Sequence, residues 1–207
     1  MSDAEELGLP AHAFDKQDDG GDLAFYADPR LVTHIDAGAI AALTRHYAAL
    51  LAPGDRVLDL MSSWISHLPE TLDLDVVGHG MNAAELAANP RLSRWFVQDL
   101  NRDARLTEPD DNFDAVLICV GVQYLQRPLT VFRELRRLLR PGGMVVASYS
   151  NRCFPTKAVA VWRHLDMEGQ AALIRLYMET AGFHDIRPLV LADGRSGDPL
   201  IAVDGRA

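Results

Sequence analysis

Asp59 is the first residue in this chain whose type and position could do chemistry. It lies inside the apolar run Val57-Leu-Asp-Leu60, and Met61, Ser62 and Ser63 follow at once. Val57, Leu58 and Leu60 suit a strand, so Asp59 falls at its carboxyl end. In an open α/β sheet, ligands collect just outside those ends. A carboxylate followed by small hydroxyls suits a ligand that carries hydroxyls or an ammonium group. A second polar turn, Gln98-Asp-Leu-Asn101, sets Asp99 beside the apolar Leu100 after a later strand. A nucleotide-type turn usually carries several glycines so that backbone can approach the ligand. Here Met61, Ser63 and Ile65 stand where those glycines would fall. The chain has no Gly-x-x-x-x-Gly-Lys phosphate loop and no Gly-x-Ser-x-Gly elbow. Its glycine-poor first turn also argues against a dinucleotide-binding dehydrogenase, which needs backbone against a pyrophosphate.

Further polar residues follow the later strands. Gln123 and Tyr124 come just past an apolar strand, and Asn151, Arg152 and Lys157 follow another, where they could hold an anionic substrate or merely cap a loop. The histidines show no paired spacing, so no metal site is expected. Cys119 and Cys153 make neither a disulfide framework nor a metal knuckle. Cys119 reads as inert core and Cys153, in a loop, as the better candidate for reactivity. Arg133, Arg136, Arg137 and Arg140 read as the solvated face of one helix rather than a nucleic-acid patch.

The elements that must position these groups alternate. The spacing predicts a helix over 36–51, with Asp36 as its N-cap, then strands over 57–60 and 75–79. A helix over 83–88 ends at Asn89-Pro90, and strands over 94–98 and 113–120 follow. A helix over 129–139 breaks at Pro141-Gly-Gly143, and a fifth strand covers 144–149. A long helical region over 156–181 and two weaker strands, 185–191 and 199–203, complete the chain. Alternation of this kind implies parallel βαβ units. Pro69 sits midway between the first two strands, so any helix there must be short or irregular.

With 207 residues, 48% of them hydrophobic, a mean hydropathy of -0.03 and no apolar run near ~18 residues, the chain reads as one globular α/β domain without a membrane span. The amino-terminus has neither basic region nor apolar stretch, and a cytoplasmic protein is the default expectation. Of the net charge of -9, most falls within residues 1–30, where eight acids face only Lys16 and Arg30. The expected organisation is a flexible acidic leader over 1–22, a helical cap over 23–55 and the α/β domain over 56–207.

Taken together, Val57-Leu-Asp-Leu60, Gln98-Asp-Leu-Asn101, Phe113-Asp-Ala-Val116 and Leu138-Leu-Arg-Pro-Gly-Gly143 resemble the class I S-adenosylmethionine-dependent methyltransferases of the small-molecule type. The match in order and spacing runs from about Arg56 to Phe183. The resemblance implies a Rossmann-like, doubly wound, mainly parallel seven-stranded sheet with helices on both faces. It implies S-adenosylmethionine as cofactor, a small-molecule substrate, and neither nucleic acid nor membrane as partner. It places Asp59, Met61, Ser62 and Ser63 at the amino-acid end of the cofactor. Gln98, Asp99 and Leu100 fall at the adenine, and Val120 beneath the ligand. Where the family usually has an acid for the ribose hydroxyls this chain has Gly80, and Asn82 could supply one of those hydrogen bonds, Glu85 being less well placed. Gln123, Asn151 and Arg152 would meet the substrate. The segment carrying Tyr26, Arg30 and His34 would form a lid. His34, Tyr124 or Tyr26 could act as a base, and Trp64 or Tyr26 could face the sulfonium by cation–π contact. Two alternatives remain open on residues alone: an inactive relative acting as a binding or scaffold protein, and a Rossmann-like enzyme of another nucleotide.

Overall fold

In the computed structural model, residues 2–207 are described. The strands are β1 (Arg56–Leu60), β2 (Asp75–Gly80), β3 (Arg94–Val97), β4 (Phe113–Cys119), β5 (Leu139–Tyr149), β6 (His184–Ala192) and β7 (Leu200–Arg206). They form one sheet in the order β3-β2-β1-β4-β5-β7-β6. The first five run parallel, and β7 runs antiparallel to both β5 and β6. The central strands β1 and β4 are buried almost throughout, as a place inside the sheet with both faces covered requires. Strand order reverses between β1 and β4, and such a switch point is where a crevice opens at the carboxyl ends.

Helices α1 (Asp3–Glu6), α2 (Asp22–Phe25), α3 (Ala37–Leu50), α4 (Ala83–Ala88), α5 (Pro128–Leu138), α6 (Ala160–His164) and α7 (Met167–Ala181) cover the two faces. On one face Phe132 and Leu135 of α5 and Ile174 and Tyr177 of α7 pack in a single apolar cluster with Leu58, Val116 and Val145 of the sheet. On the other, Ala39, Leu43 and Tyr47 of α3 pack with Val57, Val76, Ala115 and Val146. The expected cap over 23–55 is therefore no separate unit; α3 is a layer of the domain itself.

Three expectations about elements need correction. Residues 61–74 hold no helix, so the chain crosses from β1 to β2 as an irregular loop, with Leu68 packed in the α3 cluster. Pro141-Gly-Gly143 does not separate helix from strand, because β5 already begins at Leu139. The helical region over 156–181 is two helices, divided where Asp166 accepts a hydrogen bond from Gly169 N at 2.8 Å and caps α7.

The largest correction concerns residues 1–22, read as a flexible leader. Ala4, Leu7, Ala13 and Phe14 are buried in the α5–α7 cluster. Asp3 accepts from Thr130 N at 2.9 Å and from Thr130 Oγ1 at 2.8 Å, which gives α5 the N-terminal cap its own Arg127 does not provide. Glu6 pairs with Arg133. Backbone bonds from Ala160 N to Asp15 O and from Val161 N to Ala13 O tie the leader to α6. Its acids are partners for fixed cations. Composition alone hides this, since acidic, glycine-ended segments are commonly mobile.

Candidate active site

At the switch point lies a cavity of about 420 Å³. Turns after five strands line it: Met61, Ser62 and Ser63 after β1, Met81 and Asn82 after β2, Asp99 to Asn101 after β3, Val120, Gly121 and Tyr124 after β4, and Asn151 to Phe154 after β5. Tyr26, Arg30, Thr33 and His34 line it from the segment before α3. That segment is fastened to the strand ends. Arg30 N donates to Glu85 Oε1 at 2.6 Å, and Trp64 Nε1 donates to Val32 O at 3.0 Å. Trp64 is thus a clasp on this segment and does not line the cavity, which removes it from the expected cation–π role.

The first turn keeps a nucleotide-type bend without glycine. Met61 adopts φ 59° and Val120, opposite it, φ 47°; both lie in the left-handed region that side chains rarely enter. Such residues cost on the order of 1–3 kcal/mol each and persist only where their surroundings dictate it. Gly121 supplies the room: a Cβ there would meet Met61 Cβ at 3.0 Å. His79 supplies the restraint. Its Nδ1 accepts from Met61 N at 3.1 Å and its carbonyl from Ser62 N at 2.6 Å. Nδ1 as an acceptor assigns the proton to Nε2, which donates to Gln98 O at 2.9 Å. One imidazole therefore ties the ends of β1, β2 and β3. The pinned turn also explains Gly80. A Cβ at Gly80 would stand 2.5 Å from the Ser62 carbonyl.

Burial lowers the His79 pKa to about 4. The unfolded chain, titrating near 6.5, binds the proton first, so acidification from pH 6.5 toward 4 favours unfolding. A depression of this size corresponds to about 3 kcal/mol lost across that window. NMR titration should show the His79 ring unprotonated at pH 5.5, and a midpoint near 6.5 would remove it from this role.

The predicted ligand residues divide. Met61, Ser62, Ser63, Asp99, Leu100, Val120, Asn151, Arg152, His34, Tyr26 and Tyr124 all line the cavity. Asp59 lines instead a side pocket of about 50 Å³ with Tyr47, His67 and Ser66. There it accepts from Ser62 Oγ at 2.6 Å and from Ser66 Oγ, and burial raises its pKa while those hydroxyls lower it. Asn82 lines the cavity but has no capacity left for a sugar. Its Nδ2 donates to Tyr26 O and Ala27 O at 2.9 and 3.0 Å, and its Oδ1 accepts from Ala84 N and Glu85 N as the cap of α4. Glu85, the residue set second, is a carboxylate of the cavity wall, together with Asp22 and Asp99. It accepts from Arg30 N and, at 2.6 Å, from Ser63 Oγ, and each oxygen keeps a lone pair. Gln98 donates away from the cavity to Asp103 O and Arg105 O, and Gln123 is buried with Nε2 on Val120 O. Lys157 is buried against Asp18 and Asp22 and is no surface anion site. Arg133, Arg137 and Arg140 pair with acids of this chain, Arg133 and Arg140 on the solvated face expected of them.

Burial also separates the three candidate bases. It raises the Tyr124 phenol to about 12 and Tyr26 further still. Tyr124 Oη moreover accepts from Phe154 N at 2.9 Å. His34, half-buried, has its pKa lowered chiefly by desolvation, so it is a neutral base at physiological pH. Burial pushes up the Cys119 thiol, to about 12, and the Cys153 thiol as well, while Cys153 stays exposed at the cavity. Among the described residues no group of acids, histidines and cysteines could hold a metal, and no helix is long and apolar enough to cross a membrane. Sequence reading missed Glu85 as a wall residue, Asn101 and Phe154; the cap pattern Asn82-x-x-Glu85 was the one available signal for the first.

Residues 60–147 match the family model described as a methyltransferase domain. A demethylmenaquinone methyltransferase of Mycobacterium sp. (strain KMS) is 34% identical over 114 residues, covering 51% of this chain and 48% of that protein. The chain thus spans about half the length of the curated relatives it matches. Among solved structures, a putative methyltransferase from Haloferax volcanii, in complex with its Trm112 activator, superposes with a TM-score of 0.62 at 18% identity, covering 82% of this chain and 90% of that one. A SAM-dependent methyltransferase from Archaeoglobus fulgidus gives 0.61 at 14% identity over 81% and 93%.

Proposed function

We propose that this chain is a class I S-adenosylmethionine-dependent methyltransferase and that it methylates a small hydroxylated aromatic compound. The observation that carries the reading is one cavity lined by two unlike sets of groups. Asp99 and Leu100 make one set, and His34 beside the Phe154 ring, with centroids 5.8 Å apart, belongs to the other. The demethylmenaquinone relatives, at about a third identity, favour an aromatic acceptor.

Bound S-adenosylmethionine would supply an activated methyl on a sulfonium. Asp99 would accept from the adenine amine while Leu100 packs on the ring, and Glu85 has the free lone pairs to take ribose hydroxyls. Ser62 and Ser63, shared by the cavity and the side pocket that Asp59 lines, would face the amino-acid end. His34 would take the hydroxyl proton of the acceptor as its nucleophilic atom attacks the methyl. Alignment and exclusion of water would do most of the rest, and the clasped segment before α3 serves both.

The test is a calorimetric titration with S-adenosylhomocysteine, followed by assay of methyl transfer to demethylmenaquinone in its reduced form and to simpler hydroxylated naphthalenes. Micromolar binding is expected, together with a drop of about 10²-fold in turnover for His34→Gln without loss of cofactor affinity. Absence of binding at millimolar ligand would overturn the reading in favour of a scaffold.

A further inference from the structure

Arg30 is held in an unusual way. Its guanidinium carbon lies 4.6 Å from the Phe25 ring centroid, 5.7 Å from Tyr26 and 5.5 Å from Phe154. Nη2 donates to Phe25 O at 2.9 Å. Nη1 is buried and has no hydrogen-bond partner. Among the described residues no carboxylate forms an ion pair with this guanidinium; the nearby Glu85 is bonded to the Arg30 backbone instead. A buried charged donor left unmade is costly, and such a group calls for an explanation.

The rings decide what partner Nη1 could take. Phe154 belongs to the loop after β5, and Tyr124, whose ring centroid lies 6.1 Å from that of Phe154, follows β4. Both line the cavity with Arg30 and His34. Aromatic walls accept a planar ring, and a guanidinium stacked on such walls offers donors to a planar oxyanion.

We propose that Arg30 is the specificity-determining residue for the methyl acceptor, and that this acceptor is an aromatic carboxylate whose anionic oxygen is received by Nη1. The proposal rests on the methyltransferase reading and narrows it from hydroxylated aromatics to those bearing an acid. With the carboxylate on Arg30, the acceptor ring packs against the Phe154 and Tyr124 side of the cavity with its hydroxyl toward His34.

The experiment compares 1-naphthoate with 1-naphthamide, its neutral counterpart, by calorimetry on full-length protein saturated with S-adenosylhomocysteine. Wild type should bind naphthoate at least tenfold more tightly. Arg30→Met should erase that preference while leaving naphthamide unchanged, and Arg30→Lys, which keeps the charge but lacks the fork, should retain part of it. Equal binding of the two probes by wild type, or binding of neither, overturns the proposal. So does a variant that weakens S-adenosylhomocysteine but not 5′-methylthioadenosine, because Arg30 would then serve the carboxylate of the cofactor. Failure of wild type to bind S-adenosylhomocysteine at all is the separate result that removes the methyltransferase reading.

Discussion

Deleting residues 2–20 is expected to lower the stability of the domain by about 5 kcal/mol or more, comparable to the whole net stability of many domains. Leu7 and Phe14 leave the α5–α7 cluster, each removing roughly 1.5–3 kcal/mol of burial. Helix α5 loses the Asp3 cap on Thr130. Lys157 suffers most. It is 1% exposed, and Nζ donates to Gly20 O at 2.7 Å and to Asp18 O while pairing with Asp18 Oδ2 at 3.1 Å. Asp22, which would remain, stands 3.4 Å away and in the full chain also takes Lys16 at 2.5 Å. Stripping partners from a buried ammonium costs about 3–5 kcal/mol. Urea denaturation followed by circular dichroism measures the effect, and Lys157→Met in the full chain separates the charge from the apolar contacts. A truncated protein with an unchanged midpoint would return the leader to the mobile status its composition suggests.

Replacing Asp99 by alanine should weaken S-adenosylhomocysteine by roughly 10- to 150-fold, the equivalent of about 1.5–3 kcal/mol for a hydrogen bond to a charged group. Asp99 is buried at the cavity wall, with Oδ1 accepting from Asn101 N at 3.0 Å. That bond holds the turn and leaves Oδ2 for the adenine amine. Asp99→Asn, which can preserve the turn bond, should lose less than alanine. S-inosylhomocysteine, whose base lacks the amine, should bind wild type and both variants alike. If alanine weakens the two nucleosides equally, Asp99 shapes the turn and does not contact the base.

The side pocket bears on the proposed methionine end in a different way. Asp59 was singled out as a direct contact, yet it is enclosed by Ser62 and Ser66 hydroxyls. Its carboxylate therefore acts through the serines it orients, and removing it would disturb the turn that Met61 and His79 hold. Ligand loss in an Asp59→Ala protein would be accompanied by a lower melting temperature, which distinguishes positioning from contact.

Local signals were legible. Short apolar runs bounded by turn residues marked β1, β2 and β4 to within a residue, and Asn89-Pro90 after Ala88 marked the end of α4. The order of strands and breaks was enough to imply a mainly parallel sheet, and the sheet in turn opens its crevice at the β1/β4 switch point. Those inferences work because periodicity and capping depend on neighbours a few residues apart. What a polar side chain does with its donors and acceptors does not. Asn82 looked free for a sugar until Tyr26 and Ala27, more than fifty residues away in sequence, took both its amide hydrogens. Glu85 looked remote until Ser63 and Arg30 drew it to the wall. The acidic leader looked mobile until the cations of α5 and the loop after β5 gave its carboxylates fixed partners. Hydrogen-bond capacity is filled by whichever groups the fold brings within about 3 Å, so only the tertiary structure decides which polar residues remain available to a ligand.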